Sequence, residues 1–271
     1  MVNPNPLYPA FFRLDRLQLL VVGAGQVGEE KLRFILKSSP NARVTIVAPW
    51  MGEELRAVLD NYDKEAGPQV QANPEGADAT WYTPQGGQVV WYARPFRNAD
   101  VRAADLIVAA TDIKEVNRAV HTAAKVERRL CNIADTPELC DFYLGSIVTR
   151  GPLKVAISTN GQSPTFAKRF RQWLEAELPE AETTNLIDNL KVFRDRLTGD
   201  FQYKVRALNR LTQDLLGGGG LNRSCPSGVC LLAAASREEM APAAPPEDVA
   251  TFDDTTPKPP VAGERDNTLT E

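Results

Sequence analysis

The sequence predicts an α/β fold that is built on a mostly parallel sheet. Short apolar runs typical of buried strands recur in the first half of the chain, at 17–22, 44–48, 89–93 and 106–110. Stretches with helical spacing of apolar residues follow the first and the last of them. Because strands that alternate with helices form right-handed parallel βαβ units, we expect one parallel sheet covered by helices.

The first strand runs directly into a glycine-rich turn with the sequence GAGQVG. Gly23 permits a tight turn, Gly25 lets a pyrophosphate approach the backbone, and Gly28 lets the next helix pack against the sheet. The N-terminus of that helix favours a phosphate through its partial positive charge. We therefore predict a Rossmann-type dinucleotide site that includes Gln26 and Val27. A glycine turn with a purely structural role is the alternative.

The end of the second strand departs from the usual dinucleotide-binding pattern. An acidic residue for the ribose 2′-hydroxyl is expected at about residues 47–50, and no carboxylate stands there. We predict that the backbone around Pro49 and Trp50 holds the ribose instead. Thr111, which follows the strand over 106–110, is predicted to face the same groove. Because those positions also lack an arginine, NAD is preferred over NADP without being required.

Composition and charge exclude several classes of protein. With 43% hydrophobic and 24% charged residues among 271, the chain is of the globular type. A net charge of −4 argues against nucleic acid as a partner, and no apolar run approaches the roughly 18 residues of a membrane helix. Four cysteines without an export signal favour a cytoplasmic protein. The single histidine, His121, excludes a multi-histidine metal site, and no metal site is predicted.

The architecture is predicted to change in the second half of the chain. Two apolar runs, at 145–149 and 153–158, flank a short turn and form a predicted hairpin. A helix over 163–178 follows, with Ser163 as its N-cap and a proline at its first position. More helical pattern extends to residue 216, so we expect a strand-containing region and then a helical C-terminal domain.

Two polar segments are predicted to contact a ligand. CNIAD ends a strand and brings Asn132 and Asp135 to the carboxyl edge of the sheet, where open α/β folds bind ligands. STNGQSP runs from the hairpin into a helix that carries Lys168, Arg169 and Arg171 near its positive end. Together with the helix start at Ser163, these cations predict an anion site. The alternatives are a strand-end turn aspartate and an ordinary solvated helix face.

In their order and spacing, five segments resemble the precorrin-2 dehydrogenase/sirohydrochlorin ferrochelatase family, which also forms the N-terminal half of sirohaem synthase. They are YPAFFRLD, GAGQVGEEK, AATD with the VN that follows at 116–117, CNIAD and STNGQSP, and the resemblance covers about residues 7–215. It implies NAD⁺-dependent oxidation of the tetrapyrrole precorrin-2 to sirohydrochlorin. In many members of the family, insertion of Fe²⁺ into that product follows. The resemblance also implies an intertwined homodimer.

With the resemblance included, the chain divides into four predicted parts. Residues 1–115 form an NAD-binding Rossmann domain with a polar surface insertion at 60–88. A dimerisation region over 116–162 and a helical C-terminal domain over 163–216 follow. The tail over 217–271 is rich in Pro, Ala, Asp and Thr, and we expect it to be flexible and largely disordered.

Residue by residue, the resemblance assigns the family's essential aspartate to Asp135 and its neighbouring polar residue to Asn132. The loop that faces the tetrapyrrole in the family matches four residues here: Ser158, Thr159, Asn160 and Gly161. At the second and third of these positions the family commonly has serine and glycine. Oxidation removes a hydride and a proton, and we take Asp135 as the base that accepts the proton.

Several alternatives stay open from the sequence. The chain could be an NAD(H)-sensing Rossmann module without catalysis, or a dehydrogenase of another small polyanion. Within the family, the sequence does not decide whether the ferrochelatase activity is present. Cys225 and Cys230 in the tail are interpreted as incidental thiols, with a metal site shared by two chains as the alternative.

Overall fold

The computed structural model describes residues 5–68 and 73–212. Its larger part is a six-stranded sheet flanked by helices, so the predicted α/β fold is confirmed. The strands are β1 (Gln18–Val22), β2 (Arg43–Val47), β3 (Ala79–Tyr82), β4 (Gln88–Tyr92), β5 (Leu106–Ala109) and β6 (Leu130–Ile133). The helices around them are α1 (Gln26–Ser38), α2 (Glu53–Ala66) and α3 (Lys114–Val126). The predicted tail and its two cysteines lie outside the described residues.

The order of strands in the sheet is β3-β4-β2-β1-β5-β6, and every pair except β3–β4 is parallel. The chain builds outward from β1 through β2 to β4, then returns to the other side of β1 for β5 and β6. Val22, the last residue of β1, is in register with Val47 on one side and Ala109 on the other. The strand order reverses at this point, and open sheets bind ligands at such a crevice.

Alternation along the central strand builds a core on each face of the sheet. Leu19 and Val21 pack on the side of α1, with Leu32 among their buried neighbours. Leu20 and Val22 pack on the opposite side with Val120 of α3. Side chains that point to alternate faces of a strand explain why β1 is apolar throughout, since both faces are covered.

The segment 60–88 was predicted to be a surface insertion, and this is wrong at both of its ends. Helix α2 continues to Ala66, and β3 pairs with β4 in an antiparallel arrangement. Trp81 of β3 is buried, and its indole N–H donates to Asp60 at 2.7 Å. Both elements bury few apolar side chains, so their periodicity is weak although they belong to the sheet and its cover.

The second half contains the predicted hairpin and three helices. The hairpin consists of β7 (Ser146–Arg150) and β8 (Leu153–Ile157), and it is followed by α4 (Pro164–Glu177), α5 (Glu180–Arg196) and α6 (Phe201–Thr212). Val148 and Ile157 form a small core with Ala167 of α4. The guanidinium of Arg150 donates to the carbonyl oxygen of Leu178 at 2.6 Å and so holds the end of α4 against the hairpin.

One side chain connects the hairpin directly to the first part of the chain. The ammonium group of Lys154 in β8 donates to the carbonyl oxygen of Ser38 at the end of α1. Burial lowers the pKa of Lys154 below its ordinary value. None of the helices in the described ranges is long and apolar enough to cross a membrane.

Candidate dinucleotide and substrate site

The glycine turn is packed so closely that two of its glycines accept no side chain. A Cβ atom on Gly28 would lie 2.2 Å from the carbonyl oxygen of Gly23. Gly23 has a φ of 101°, and a Cβ atom there would lie 2.6 Å from the carbonyl oxygen of Ala110. The turn is therefore pressed against the end of β5 and against the first turn of α1, as a Rossmann turn requires.

Gly25 is the N-cap of α1, and no side chain caps this helix. The N–H groups of its first turn, which includes Gln26 and Val27, therefore remain available to an anion. A Cβ atom on Gly25 would lie 3.2 Å from the ring of Trp50, whose exposed fraction is 62%. The exposed Pro49–Trp50 pair thus lies beside the turn, and together these residues form a cradle that fits a dinucleotide.

Thr111 lies at the same edge and is fixed by a side chain to which the sequence interpretation assigned no role. Its hydroxyl donates to the Oδ1 atom of Asn117 at 2.8 Å, and the Nδ2 group of Asn117 donates to the carbonyl oxygen of Thr111 at 2.9 Å. Asn117 is buried in α3. The methyl group of Thr111 would be 2.9 Å from a Cβ atom on Gly23, so the hydrogen bonds with Asn117 hold Thr111 against the glycine turn.

Asp135 follows the carboxyl end of β6, and its side chain is exposed. The preceding residue, Ala134, donates its N–H to the carbonyl oxygen of Ala109 at 2.9 Å, which ties the start of the loop to β5. Asp135 itself has a φ of 56°, in the left-handed region that few residues other than glycine, asparagine and aspartate adopt. Backbone strain of this kind is often concentrated at functional sites.

Asn132 does not have the substrate-binding position that was predicted for it. Its side chain is buried, and the Nδ2 group donates to the carbonyl oxygen of Phe142 at 2.8 Å. The residue lies within β6 rather than beyond its end. Asn132 therefore fixes the backbone at Phe142, where the chain passes back along β6, and the prediction is corrected to a structural role.

The segment between β8 and α4 forms a compact loop with three internal hydrogen bonds and one to the first turn of α4. Ser158 and Thr159 accept backbone N–H groups of the loop at 3.1 Å each, and Ser163 accepts the N–H of Phe166 at 3.2 Å as the predicted N-cap of α4. The fourth joins the N–H of Gln162 to the carbonyl oxygen of Thr159 at 3.0 Å.

Asn160 and Gly161 of this loop both have a positive φ, 53° and 74°. The left-handed conformation explains a departure from the family pattern, because asparagine is one of the side chains best tolerated where the family commonly has glycine. Lys168 and Arg169 are exposed on α4 and form no ion pair within the described residues, whereas Arg171 pairs with Glu175 at 2.5 Å.

The predicted site residues thus form two groups. The glycine turn, Thr111 and Asp135 lie at one edge of the sheet, and the loop before α4 with Lys168 and Arg169 forms the other group. Among the described residues, no hydrogen bond or ion pair joins the two groups. In the same residues, no three side chains of His, Cys, Asp or Glu are grouped so that they could hold a metal ion.

Comparison with known proteins agrees with this geometry. A family model described as putative NAD(P)-binding matches residues 10–146, just over half of the chain. A second, described as sirohaem biosynthesis protein central, matches residues 150–177. A solved structure named "SirC, precorrin-2 dehydrogenase" aligns with a TM-score of 0.59 at 21% identity, covering 85% of this chain and 99% of its own. That likeness concerns the fold.

Two curated relatives extend the comparison. Siroheme synthase 3 of Aeromonas hydrophila subsp. hydrophila is 35% identical over 172 residues, which are 64% of this chain and 31% of that protein. Siroheme synthase of Mannheimia succiniciproducens is 30% identical over 199 residues, which are 73% of this chain and 34% of that protein. The chain spans about a third of the length of these relatives. The resemblance based on the motifs is confirmed: the chain belongs to the family of putative NAD(P)-binding domains, here followed by the central segment of sirohaem biosynthesis proteins.

Proposed function

We propose that this chain oxidises precorrin-2 to sirohydrochlorin with NAD⁺. One observation carries the proposal. Asp135, exposed and held in a left-handed conformation, follows a strand of the same sheet whose central strand leads into the glycine turn. A dinucleotide cradle and a carboxylate at one edge of a sheet are what a dehydrogenase needs to take an electron pair and a proton from a substrate.

The cofactor is proposed to lie across the carboxyl ends of β1 and β5. The open N-terminus of α1 would hold its pyrophosphate, and Trp50 and the backbone of Pro49 would contact the adenosine half. Bound there, the nicotinamide ring would supply the two-electron oxidation. NAD is proposed rather than NADP because residues 47–50 contain no arginine that would pair with a 2′-phosphate.

The protons are the part of the reaction that this chain's own residues handle. Oxidation of precorrin-2 removes two electrons and two protons, and one proton leaves together with the electron pair. Asp135 is proposed to accept the other. The same carboxylate would be available for the protons that Fe²⁺ displaces from sirohydrochlorin, with Fe²⁺ as a substrate. The cytoplasmic location is part of the same proposal.

The polycarboxylate substrate is proposed to bind through the loop before α4. Ser158, Thr159 and Asn160 present hydroxyl and amide groups there, and Lys168 and Arg169 supply positive charges that form no ion pair with any described residue. Charged donors to carboxylates form the stronger class of hydrogen bond. The family resemblance implies a homodimer, and we propose that a second copy completes the substrate site.

The test of this function is NADH formation by the full chain with enzymatically prepared precorrin-2, followed by absorbance. Asp135→Asn keeps a side chain that tolerates the left-handed φ and removes only the base, so the fold is retained. We expect kcat to fall about 10²-fold or more, because general base catalysis contributes about that factor, with an unchanged Kd for NAD⁺. Asp195→Asn, which alters an exposed carboxylate on α5 away from both groups of site residues, is the matched control and should leave kcat unchanged.

Two outcomes contradict the proposal in different ways. The unaltered chain could form no NADH from a substrate preparation that a known dehydrogenase converts. This result would reject precorrin-2 oxidation and favour the NAD(H)-sensing module. Full activity of Asp135→Asn would leave the reaction in place and reject Asp135 as its base. Addition of Fe²⁺ to the product mixture then tests the chelatase step against an enzyme-free control.

A further inference from the structure

The loop that carries Asp135 returns along the free edge of β6. This strand is the last of the sheet, and a last strand leaves N–H and C=O groups without a neighbouring strand. Here the residues that follow the loop form hydrogen bonds with those N–H and C=O groups. The N–H of Asp141 donates to the carbonyl oxygen of Cys131 at 2.8 Å, and the Asp141 carboxylate accepts the N–H of Cys131 at 3.0 Å.

The sulfur atom of Cys140 occupies the next free position along the strand. It accepts the N–H of Ile133 at 3.2 Å and lies 3.4 Å from the carbonyl oxygen of Thr136 in the loop. Ile133 and Cys131 are alternate residues, so both outward N–H groups of β6 are satisfied by side chains. The loop over 134–139, and Asp135 with it, is therefore closed at its base by Cys140 and Asp141.

The carboxylate of Asp141 is itself held by a residue of α3. The ammonium group of Lys125 donates to its Oδ1 atom, while the Oδ2 atom accepts from Cys131. Partial burial would raise the pKa of Asp141, but the hydrogen bonds from Lys125 and from Cys131 lower it below the ordinary value. Burial also raises the pKa of the Cys131 thiol to about 12, so that this thiol stays protonated and lies 3.4 Å from the same carboxylate.

We infer that Lys125 and Asp141 are positioning residues for the oxidation, and that they act through Asp135. The inference rests on the proposed function, since it concerns the same carboxylate. A left-handed residue persists only where its surroundings hold it, and the Lys125–Asp141 pair supplies the fixed end of the loop opposite the Ala134–Ala109 hydrogen bond. Neither side chain is part of the glycine turn or of the loop before α4.

This arrangement separates the effect on chemistry from the effect on cofactor binding. The dinucleotide cradle is built on β1, β2 and α1. The clamp, which consists of Lys125 and Asp141 together with the hydrogen bonds of Asp141 to Cys131, lies at the outer side of β6. Loosening the clamp would displace the base and leave the cradle intact. A displacement of a reacting group by about 1 Å is sufficient to reduce a rate by up to about 10²-fold.

The experiment compares Lys125→Met and Asp141→Asn with the conservative Lys125→Arg. In the full chain, and below the melting temperature of each variant, we expect Lys125→Met and Asp141→Asn to lower kcat by about tenfold or more while the Kd of NAD⁺ stays within about twofold. Lys125→Arg keeps the ion pair and should restore most of kcat. Arg102→Met, which breaks the exposed pair with Glu127 at 3.1 Å, is the matched control and should change neither quantity.

Amide hydrogen exchange of the peptide over 130–142 tests the clamp without the substrate. Exchange should be faster by about tenfold in Lys125→Met than in the unaltered chain, because the loop then opens more often. Unchanged kcat in both clamp variants, with only a lower melting temperature, would overturn the positioning role and leave a structural one. If the unaltered chain does not oxidise precorrin-2, the proposed function fails. Unchanged amide hydrogen exchange in Lys125→Met would overturn the clamp independently of that result.

Discussion

The contact between Gly28 and the carbonyl oxygen of Gly23 connects the packing of α1 with the shape of the dinucleotide cradle. With 2.2 Å from that oxygen to the position of a Cβ atom, alanine fits only if α1 moves away from the sheet. The N-terminus of α1 would then move away from the phosphates. A change of one methyl group at this residue should therefore affect stability and binding together.

We predict that Gly28→Ala lowers the free energy of unfolding by about 1–3 kcal/mol, the usual cost of overpacking a tight contact. The Kd for NAD⁺ should rise in parallel. Urea unfolding and a binding titration of the same preparation measure the two quantities. Gly52→Ala is the control, because a Cβ atom there meets its nearest neighbour at 3.6 Å and its effect should be smaller. Equal effects of the two variants would contradict the role given to the close contact.

Single residues also show where sequence reasoning succeeds and where it stops. The glycines of the turn could be identified because their spacing encodes a backbone geometry that only glycine permits. Asn117 and Asp141 could not, because each acts on backbone groups that folding alone brings near. Asn132 was misassigned for the same reason: a polar residue in a strand carries no sign of whether its partner is a ligand or a returning carbonyl oxygen.

Among the elements, α4 has the clearest beginning. Ser163 accepts the N–H of Phe166, and Pro164 occupies the first helical position. Because the loop before this helix is proposed to bind the substrate, fraying of the first turn would also disturb the loop. The cap therefore serves the helix and the proposed site at once.

We predict that Ser163→Ala destabilises the chain by about 1 kcal/mol, and that Ser163→Asn, which is also a good cap, does so by less. Thermal unfolding followed by circular dichroism measures the difference. Thr165→Ala, in the same turn and exposed, is the control and should have little effect. If all three variants melt together, the hydrogen bond to Phe166 contributes nothing to the stability of α4.

Elements also differed in how well their sequences predicted them. The hairpin was expected, since Gly151 and Pro152 separate its two apolar runs. Helix α2 was missed because only Leu55 and Leu59 of its residues are buried, which is too few for a recognisable period. Strand β3 was missed because Trp81 alone is buried within it. A single buried side chain gives no alternating apolar pattern from which a strand could be predicted.

At the scale of the whole molecule, the Lys125–Asp141 pair predicts how stability varies with pH. The pKa of Asp141 lies below its ordinary value of 3.8, so the pair's contribution is present above that value and is lost as the pH falls through the lowered pKa. The pKa of Lys125 is raised above 10.5 by its hydrogen bond with Asp141, so the contribution persists below that value and is lost only as the pH rises through the raised pKa.

The difference in urea midpoint between the unaltered chain and Lys125→Met should therefore be constant from about pH 5 to about pH 9. It should narrow below the ordinary carboxyl value of 3.8 as Asp141 becomes protonated. Unfolding curves at a series of pH values measure it. Arg102→Met again serves as the control, with a small difference throughout because both partners of its pair are partly exposed. A difference that grew on acidification would contradict the assignment.

The hydrogen bonds that Cys140 and Asp141 form along the edge of β6 also determine where another strand could join this sheet. Strand addition by another polypeptide requires a row of free N–H and C=O groups, and Asp141 and Cys140 already occupy those of β6. The opposite margin is β3, a strand of four residues that runs against the direction of its neighbour. Within the described residues, extension of the six-stranded sheet by another polypeptide is thus confined to the β3 side.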